Sequence, residues 1–370
     1  MKRIWMTAAA AVLALGMLAG CSGIDYPPSS SQPSSRPNGG TSSSSSATGG
    51  STGSTGSSSS SGNAGSSGSA SSKNDGASTS SSSTAASSKP EETSPWRYYK
   101  KDEGVIITGY NGELSGKVTI PSKIGEYPVV SIGISAFEGN DKITSVVIPE
   151  GVKSIQNCAF MECKQLTSVN LPSTVKSIER SAFRECRNLK DIKLPAALEV
   201  IEDHAFEWDV GLTEITIPGS VKEVSYSAFK CCLGLKKITL QEGIESVDSY
   251  AFTGAEITEL ELPSTLNHIG VLAFNCVTLE QLVFRESPSG KSQEVTIEHC
   301  AFDGCFHMKK IYFPKTLKKI NDFLPIMPDY VYYGGTEEEW QKIEGIQRYL
   351  DSVVWYGKRP EDIKTPPINS

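Results

Sequence analysis

The chain has 370 residues, a formal net charge of −7, 38% hydrophobic residues and 21% charged ones. A mildly acidic balance gives no electrostatic footprint for nucleic acid, which calls for a basic stripe, and predicts only solubility with a weak bias against anionic surfaces. The averages hide an apolar leader, a Ser/Gly-rich stretch and a repetitive remainder.

Lys2 and Arg3 precede an apolar run from Ala8 to Leu18. Charge followed by a short hydrophobic run is the layout of a secretory signal, here assigned to residues 1–20, and the run is too short to span a bilayer comfortably. It ends in Leu18-Ala19-Gly20-Cys21, which resembles the lipobox of bacterial lipoproteins. The resemblance implies cleavage before Cys21 and diacylglyceryl attachment to its thiol; two or more acyl chains hold a protein stably on a membrane where one does not. An ordinary cleaved signal with an incidental cysteine is the alternative. Residues 21–95 are nearly all Ser, Gly, Thr, Ala and Pro. With almost nothing apolar to offset the entropy of ordering, they are expected to be a disordered tether with a reach of roughly 45 to 50 Å.

Order is expected from Trp96 onward, with residues 96–132 forming an N-terminal cap and first irregular repeat. Beyond it the pair Ala-Phe recurs at Phe137, Phe160, Phe183, Phe206, Phe229 and Phe252 in steps of 23 residues, then at Phe274 and Phe302 in steps of 22 and 28. A fixed period of this size marks stacked units that bury their apolar faces against each other. The unit is clearest from Leu166 to Cys186, where Val169 and Leu171 lie two apart and so share one side of a strand. Pro149, Pro172, Pro195, Pro218, Pro263 and Pro314 close these strands. A second, shorter extended piece follows, as in Val175 and Ile178, and Ser181 to Cys186 reads as a turn returning the chain to the next coil.

This unit, Leu-x-x-Ile-x-Ile-Pro-x-x-Val-x-x-Ile-x-x-x-Ala-Phe-x-x-Cys, resembles the BspA-type leucine-rich repeat of bacterial surface proteins. The resemblance implies a mainly β, right-handed solenoid of about eight 23-residue coils with short helical turns, repeats over residues 133–322, and terminal caps. Residues 323–358 resemble the closing segment that follows such repeats, with a short amphipathic helix near Glu337 to Ile343, and 359–370 form a tail. Function is implied to be adhesion or recognition of host or neighbouring-cell proteins by a lipid-anchored, surface-displayed chain. A structural role in the envelope, binding wall polymer or another lipoprotein, is the alternative. No catalytic motif survives the repeat register, so no enzyme and no cofactor is expected.

The candidate binding surface is the outward face of the first strand layer, carrying Ser168, Asn170, Asp191, Lys193, Glu214, Thr216, Lys237, Thr239, Glu259, Glu261, Lys310 and Tyr312. Solenoids use such faces for extended partners. Mixed charge and few aromatics favour a protein ligand over a glycan. Cys163, Cys186, Cys232 and Cys305 all lie three residues after the repeat Phe, which predicts small buried free thiols, with one pair bridging adjacent coils as the alternative. His299, Cys300, Cys305 and His307 offer zinc-ligand types, but the register already accounts for both cysteines. Trp208 either covers a coil edge or anchors a partner. The polar insertion Arg285 to Glu294 is either a contact element or a tolerated loop.

Overall fold

The computed structural model describes residues 94–102, 104–321, 328–346 and 354–357. The lipobox, Cys21 and the Ser/Gly-rich stretch up to residue 93 lie outside the described residues.

Each unit supplies two short strands and one tight turn, and the apolar spacing decides which side chains point inward. In the unit from Leu166, the residues Leu166, Val175, Ile178, Ala182, Phe183 and Cys186 are all 0% exposed. Strand Ser168–Asn170 puts Val169 inside and its two neighbours outside. Stacking then pairs each strand with its equivalents in the adjacent coils.

The shorter strands, not the longer ones, build the continuous sheet. Among the described residues ten parallel strands run in order through Gly104–Tyr110, Tyr127–Ile132, Ser154–Ile155, Ser177–Ile178, Val200–Ile201, Glu223–Val224, Ser246–Val247, His268–Ile269, Gln293–Ile297 and Leu317–Asn321. Trp96–Lys101 pairs antiparallel with the first of them and closes that end. The eight coils of the Phe series are thus extended by one coil at each end. The outward layer divides into three sheets: Gly116–Thr119, Ile143–Val147, Ser168–Asn170 and Asp191–Ile192; then Glu214–Ile217 with Lys237–Leu240; then Glu259–Leu262, Gln281–Phe284, Lys310–Phe313, Tyr330–Tyr333 and Val354–Tyr356. The second break falls where the unit is a residue short, near Gly254 and Ala255.

The Ala-Phe turn holds the register. The Phe160 amide donates to the Ala182 carbonyl at 2.8 Å, and Phe183 to Ala205, Phe206 to Ala228 and Phe229 to Ala251 at the same distance. The turn is therefore a third backbone ladder, and its alanines are fully buried. Two positions in it adopt left-handed backbone. The residue two before Phe does so in every coil, from Ser135 (φ 52°) to Cys300 (φ 60°), and the residue two after Phe does so at Gly139, Glu162, Glu185, Trp208, Cys231, Gly254 and Gly304.

Inside, the Phe rings form one column. Successive centroids from Phe137 to Phe302 lie 5.0 to 5.4 Å apart with planes within 16° of parallel. Tyr110 stacks on Phe137 at 5.8 Å and Trp96 meets it edge-on, which ends the column at the N-terminal cap. At the other end Phe284 stacks on Phe313, and Trp340 meets Phe313 at a tilt of 47°. Trp340 is delivered by the helix Glu337–Trp340, whose first turn is fixed by a reciprocal capping box between Thr336 and Glu339. The helix is shorter than the sequence pattern predicts.

Beside the column runs a thiol ladder. Cys163, Cys186 and Cys232 each donate to the carbonyl of the Phe 26 residues earlier at 3.1 Å, and Cys305 donates to Phe274 at 3.2 Å. Cys276, in the short unit, reaches Phe252 at 3.5 Å. Among the described residues seven cysteines are free thiols. Cys231 stands outside this ladder. It occupies the left-handed turn position rather than the ladder position, so the register argument that covers Cys232 does not reach it.

Candidate functional site

The outward strand layer places the predicted residues in two rows. In one row Ser168 pairs with Asp191, Glu214 with Lys237, and Glu259 with Gln281, Lys310 and Tyr330 in turn. In the other Thr216 pairs with Thr239, and Glu261 with Val283, Tyr312 and Tyr332. Asn170, Asp191, Lys193, Glu214, Lys237 and Glu259 are exposed, whereas Glu261 and Lys310 are half-buried. Glu214 directly opposite Lys237 is a favourable cross-strand pair.

Two expectations about this face are overturned. Tyr312 is only 8% exposed, because Val283 at 1% and the partly buried Tyr332 pack with it on the outer side of the sheet. The face is also not poor in aromatics at its C-terminal end, where Tyr330 and Tyr332 stand 6.5 Å apart and Tyr330 is 44% exposed. Those tyrosines belong to the cap rather than to the repeat.

The polar insertion is tied down. Gln293 is buried, donates to the Ser264 and Arg285 carbonyls at 3.1 Å, and accepts from the Thr316 hydroxyl. Arg285 stands where the pattern wants Pro; its guanidinium reaches back to the Leu240 carbonyl and pairs with Glu242 at 3.2 Å. The insertion links three coils.

His299, Cys300, Cys305 and His307 are not brought together. Cys305 spends its thiol on Phe274, and His307 Nδ1 lies 2.9 Å from the Val277 carbonyl. Among the described residues no group of three or more His, Cys, Asp or Glu is arranged to hold a metal ion.

A cluster that the sequence pattern did not reveal lies on the turn edge of the middle coils. The residue after each repeat Phe reads Arg184, Glu207 and Lys230 in three successive coils, and Glu207 meets Arg184 Nε at 3.1 Å, His204 Nδ1 at 3.0 Å and Lys230 Nζ at 3.7 Å. Burial opposes ionisation of Glu207, but the hydrogen bond and charge of His204, with Arg184 and Lys230, outweigh it and hold the carboxyl below its ordinary range. Next to this network the rings of His204, Tyr226 and Tyr250 meet edge to face, with centroids 5.4 and 5.6 Å apart. Trp208 is half-buried in its left-handed turn position. The available signal was the departure from the repeat: Ser181 and Ser227 hold the place of His204 and Tyr250, and Asn157 that of Tyr226.

No curated protein sequence matches the chain. Among solved structures, it is similar to a leucine rich cell surface protein from Faecalibacterium prausnitzii, at 22% identity over 70% of this chain and 99% of that one, with a TM-score of 0.44. It is similar also to a leucine-rich repeat protein from Bacteroides ovatus, at 17% identity over 73% and 100% with a TM-score of 0.36. The leucine rich repeat protein of T. pallidum matches at 22% identity over 73% and 100%, with a TM-score of 0.35. The family model of the BspA type leucine rich repeat region matches residues 130–232 and 199–324, more than half of the sequence, and the chain belongs to that family.

Proposed function

We propose that this is a surface-displayed, lipid-anchored bacterial protein whose solenoid binds another macromolecule through the outward strand face. The observation that carries the reading is that Asn170, Asp191, Glu214, Lys237 and Glu259 are exposed on in-register strands, with exposed Lys193 just past the strand end at Ile192, while the main core lies on the other side. Their side chains contribute little to folding, which leaves them available to a partner. The mixed signs favour a protein ligand, since complementary charges orient and select a partner. The lipobox supports anchorage at Cys21. Family membership supports a role in adhesion or recognition over catalysis.

The test is binding of the whole purified chain to a panel of host matrix proteins, purified wall polymers and intact bacterial cells, beside the variant Lys193→Glu/Lys237→Glu. Saturable binding to a protein, lost in the variant, is the expected result. Binding to wall polymer alone replaces the adhesion reading with the envelope role, and binding indifferent to the variant moves the site off this face. Mass spectrometry of the Cys21 peptide, after expression in a lipoprotein-processing bacterium, reads the anchor directly; an unmodified thiol rejects it.

A further inference from the structure

The middle coils carry a second surface, on a different side from the outward strand face. At the two positions before the repeat Ala, the two coils that precede the ridge use small or polar residues, Asn157 with Cys158 and Arg180 with Ser181. In three successive coils His204, Tyr226 and Tyr250 replace them and form a continuous herringbone ridge. Tyr226 remains 39% exposed. The fold does not need these rings: serines occupy the left-handed position of His204 and Tyr250 at Ser135, Ser181 and Ser227, and Asn157 and Arg180 stand at the position of Tyr226.

Carboxylates border the ridge. Glu202 and Asp203 immediately precede His204, and Asp248 lies two residues before Tyr250. Glu179 and Glu202 sit at the same position of adjacent coils, and burial together with the nearby Glu202 charge raises the Glu179 carboxyl above its ordinary range. Of the cations at this edge, Arg184 and Lys230 are held by Glu207, and Arg180 donates its backbone amide to Glu202 at 2.9 Å. The ridge also takes a cation within the molecule: Lys230 Nζ stands 5.7 Å from the centre of the Tyr250 ring. Electron-rich ring faces inside a fringe of carboxylates attract ammonium and guanidinium groups.

We propose that the ridge of His204, Tyr226 and Tyr250, with Glu202, Asp203 and Asp248 beside it, is a docking site for a lysine- or arginine-rich segment of a protein partner. The Tyr226 and Tyr250 rings receive the cationic heads and the carboxylates neutralise them. Negative potential along the edge speeds encounter with a basic chain, and stacking gives the contact a lifetime that charge alone does not.

The test uses the whole chain and a fluorescent octa-arginine peptide, with a soluble wall glycan as the competing probe. The variant Tyr226→Asn/Tyr250→Ser returns both positions to residues that neighbouring coils already use, so the fold and every charge are kept. The expected result is an affinity for octa-arginine roughly tenfold weaker in this variant, with an unchanged thermal midpoint. Asp203→Asn/Asp248→Asn is expected to weaken binding too and to flatten its salt dependence. Octa-arginine affinity within twofold of the parent in the tyrosine variant overturns the proposal, because attraction to net negative charge alone does not respond to the rings. Loss of glycan binding without loss of peptide binding overturns it as well. The strand-face variant Lys193→Glu/Lys237→Glu leaves the ridge intact, so the two surfaces fail or succeed separately.

Discussion

Asp209 fills the rung of the thiol ladder that Cys186 fills one coil earlier. Both side chains are 0% exposed, but the Cys186 thiol donates to the Phe160 carbonyl whereas both carboxylate oxygens of Asp209 lack a hydrogen-bond partner. Burial pushes the Asp209 carboxyl well above its ordinary range, opposed by the Cys186 amide and reinforced by the Glu185 charge. The folded protein therefore prefers the neutral acid. Because the folded value exceeds the unfolded one of about 3.9, the stability contributed by protonated Asp209 is fully present below that pH and is lost as pH rises through the folded value. Asp209→Asn supplies a neutral donor and is expected to gain about 1 to 3 kcal/mol at pH 8 and little at pH 4. Urea midpoints at both pH values check this, and an equal shift at the two sinks it. Glu207 works in the opposite sense: its depressed carboxyl stabilises the fold above about pH 4.3, and that contribution is lost as pH falls through the folded value.

Phe206 lies between Phe183 at 5.4 Å and Phe229 at 5.0 Å. Phe206→Ala opens a void at the centre of the column and is expected to cost about 3 to 5 kcal/mol. Since coils in such stacks contact only their neighbours, the loss is local and the two halves uncouple. Denaturation followed by far-UV circular dichroism and by tryptophan fluorescence should then give separate midpoints; one shared, unshifted midpoint refutes the column's role.

Glu162 occupies the left-handed position after Phe160 with φ 58°, where Gly139, Gly254 and Gly304 serve in other coils. Its ion pair with Lys164 is solvent-exposed on both sides and contributes little. Glu162→Gly is expected to stabilise the chain by about 0.5 to 1 kcal/mol by relieving the clash of Cβ with the backbone. Thermal unfolding reads the gain, and a lowered midpoint contradicts it.

Gly219 is constrained by proximity instead. A Cβ there would lie 1.7 Å from the Glu242 carbonyl oxygen of the next coil, although Ser173 and Ala196 occupy the equivalent place elsewhere. Gly219→Ala must push two coils apart and is expected to cost at least about 1 to 3 kcal/mol. Hydrogen exchange should rise first in strands Glu214–Ile217 and Lys237–Leu240, and protection equal to the parent counts against the crowding.

The 23-residue spacing of Phe, the paired apolar residues and the closing prolines were enough to read the solenoid, because burial in a stack repeats the same demand in every coil. Which strand layer is continuous was not legible. Ser177–Ile178 looks slight beside Ser168–Asn170, yet it sits next to the Ala-Phe turn, and the pairs from Ser154–Ile155 to His268–Ile269 keep one register. Tyr312 was misjudged because the residues that cover it, Val283 and Tyr332, lie in an irregular coil and in the cap. The contact between His204, Tyr226 and Tyr250 was hidden because the rings sit at offsets of two and three before successive Phe residues, and only stacking aligns them.

The turn ladder makes the molecule a modular ruler. Any coil of regular length offers its neighbours the same Ala carbonyl, Phe amide and ring face as the next, so duplication or excision of 23 residues between two such coils rejoins equivalent surfaces. The length of the recognition surface can therefore change in whole steps by recombination within the gene. Removing the segment that bears His204, Tyr226 and Tyr250 would delete one surface while the caps and most of the outward face remain.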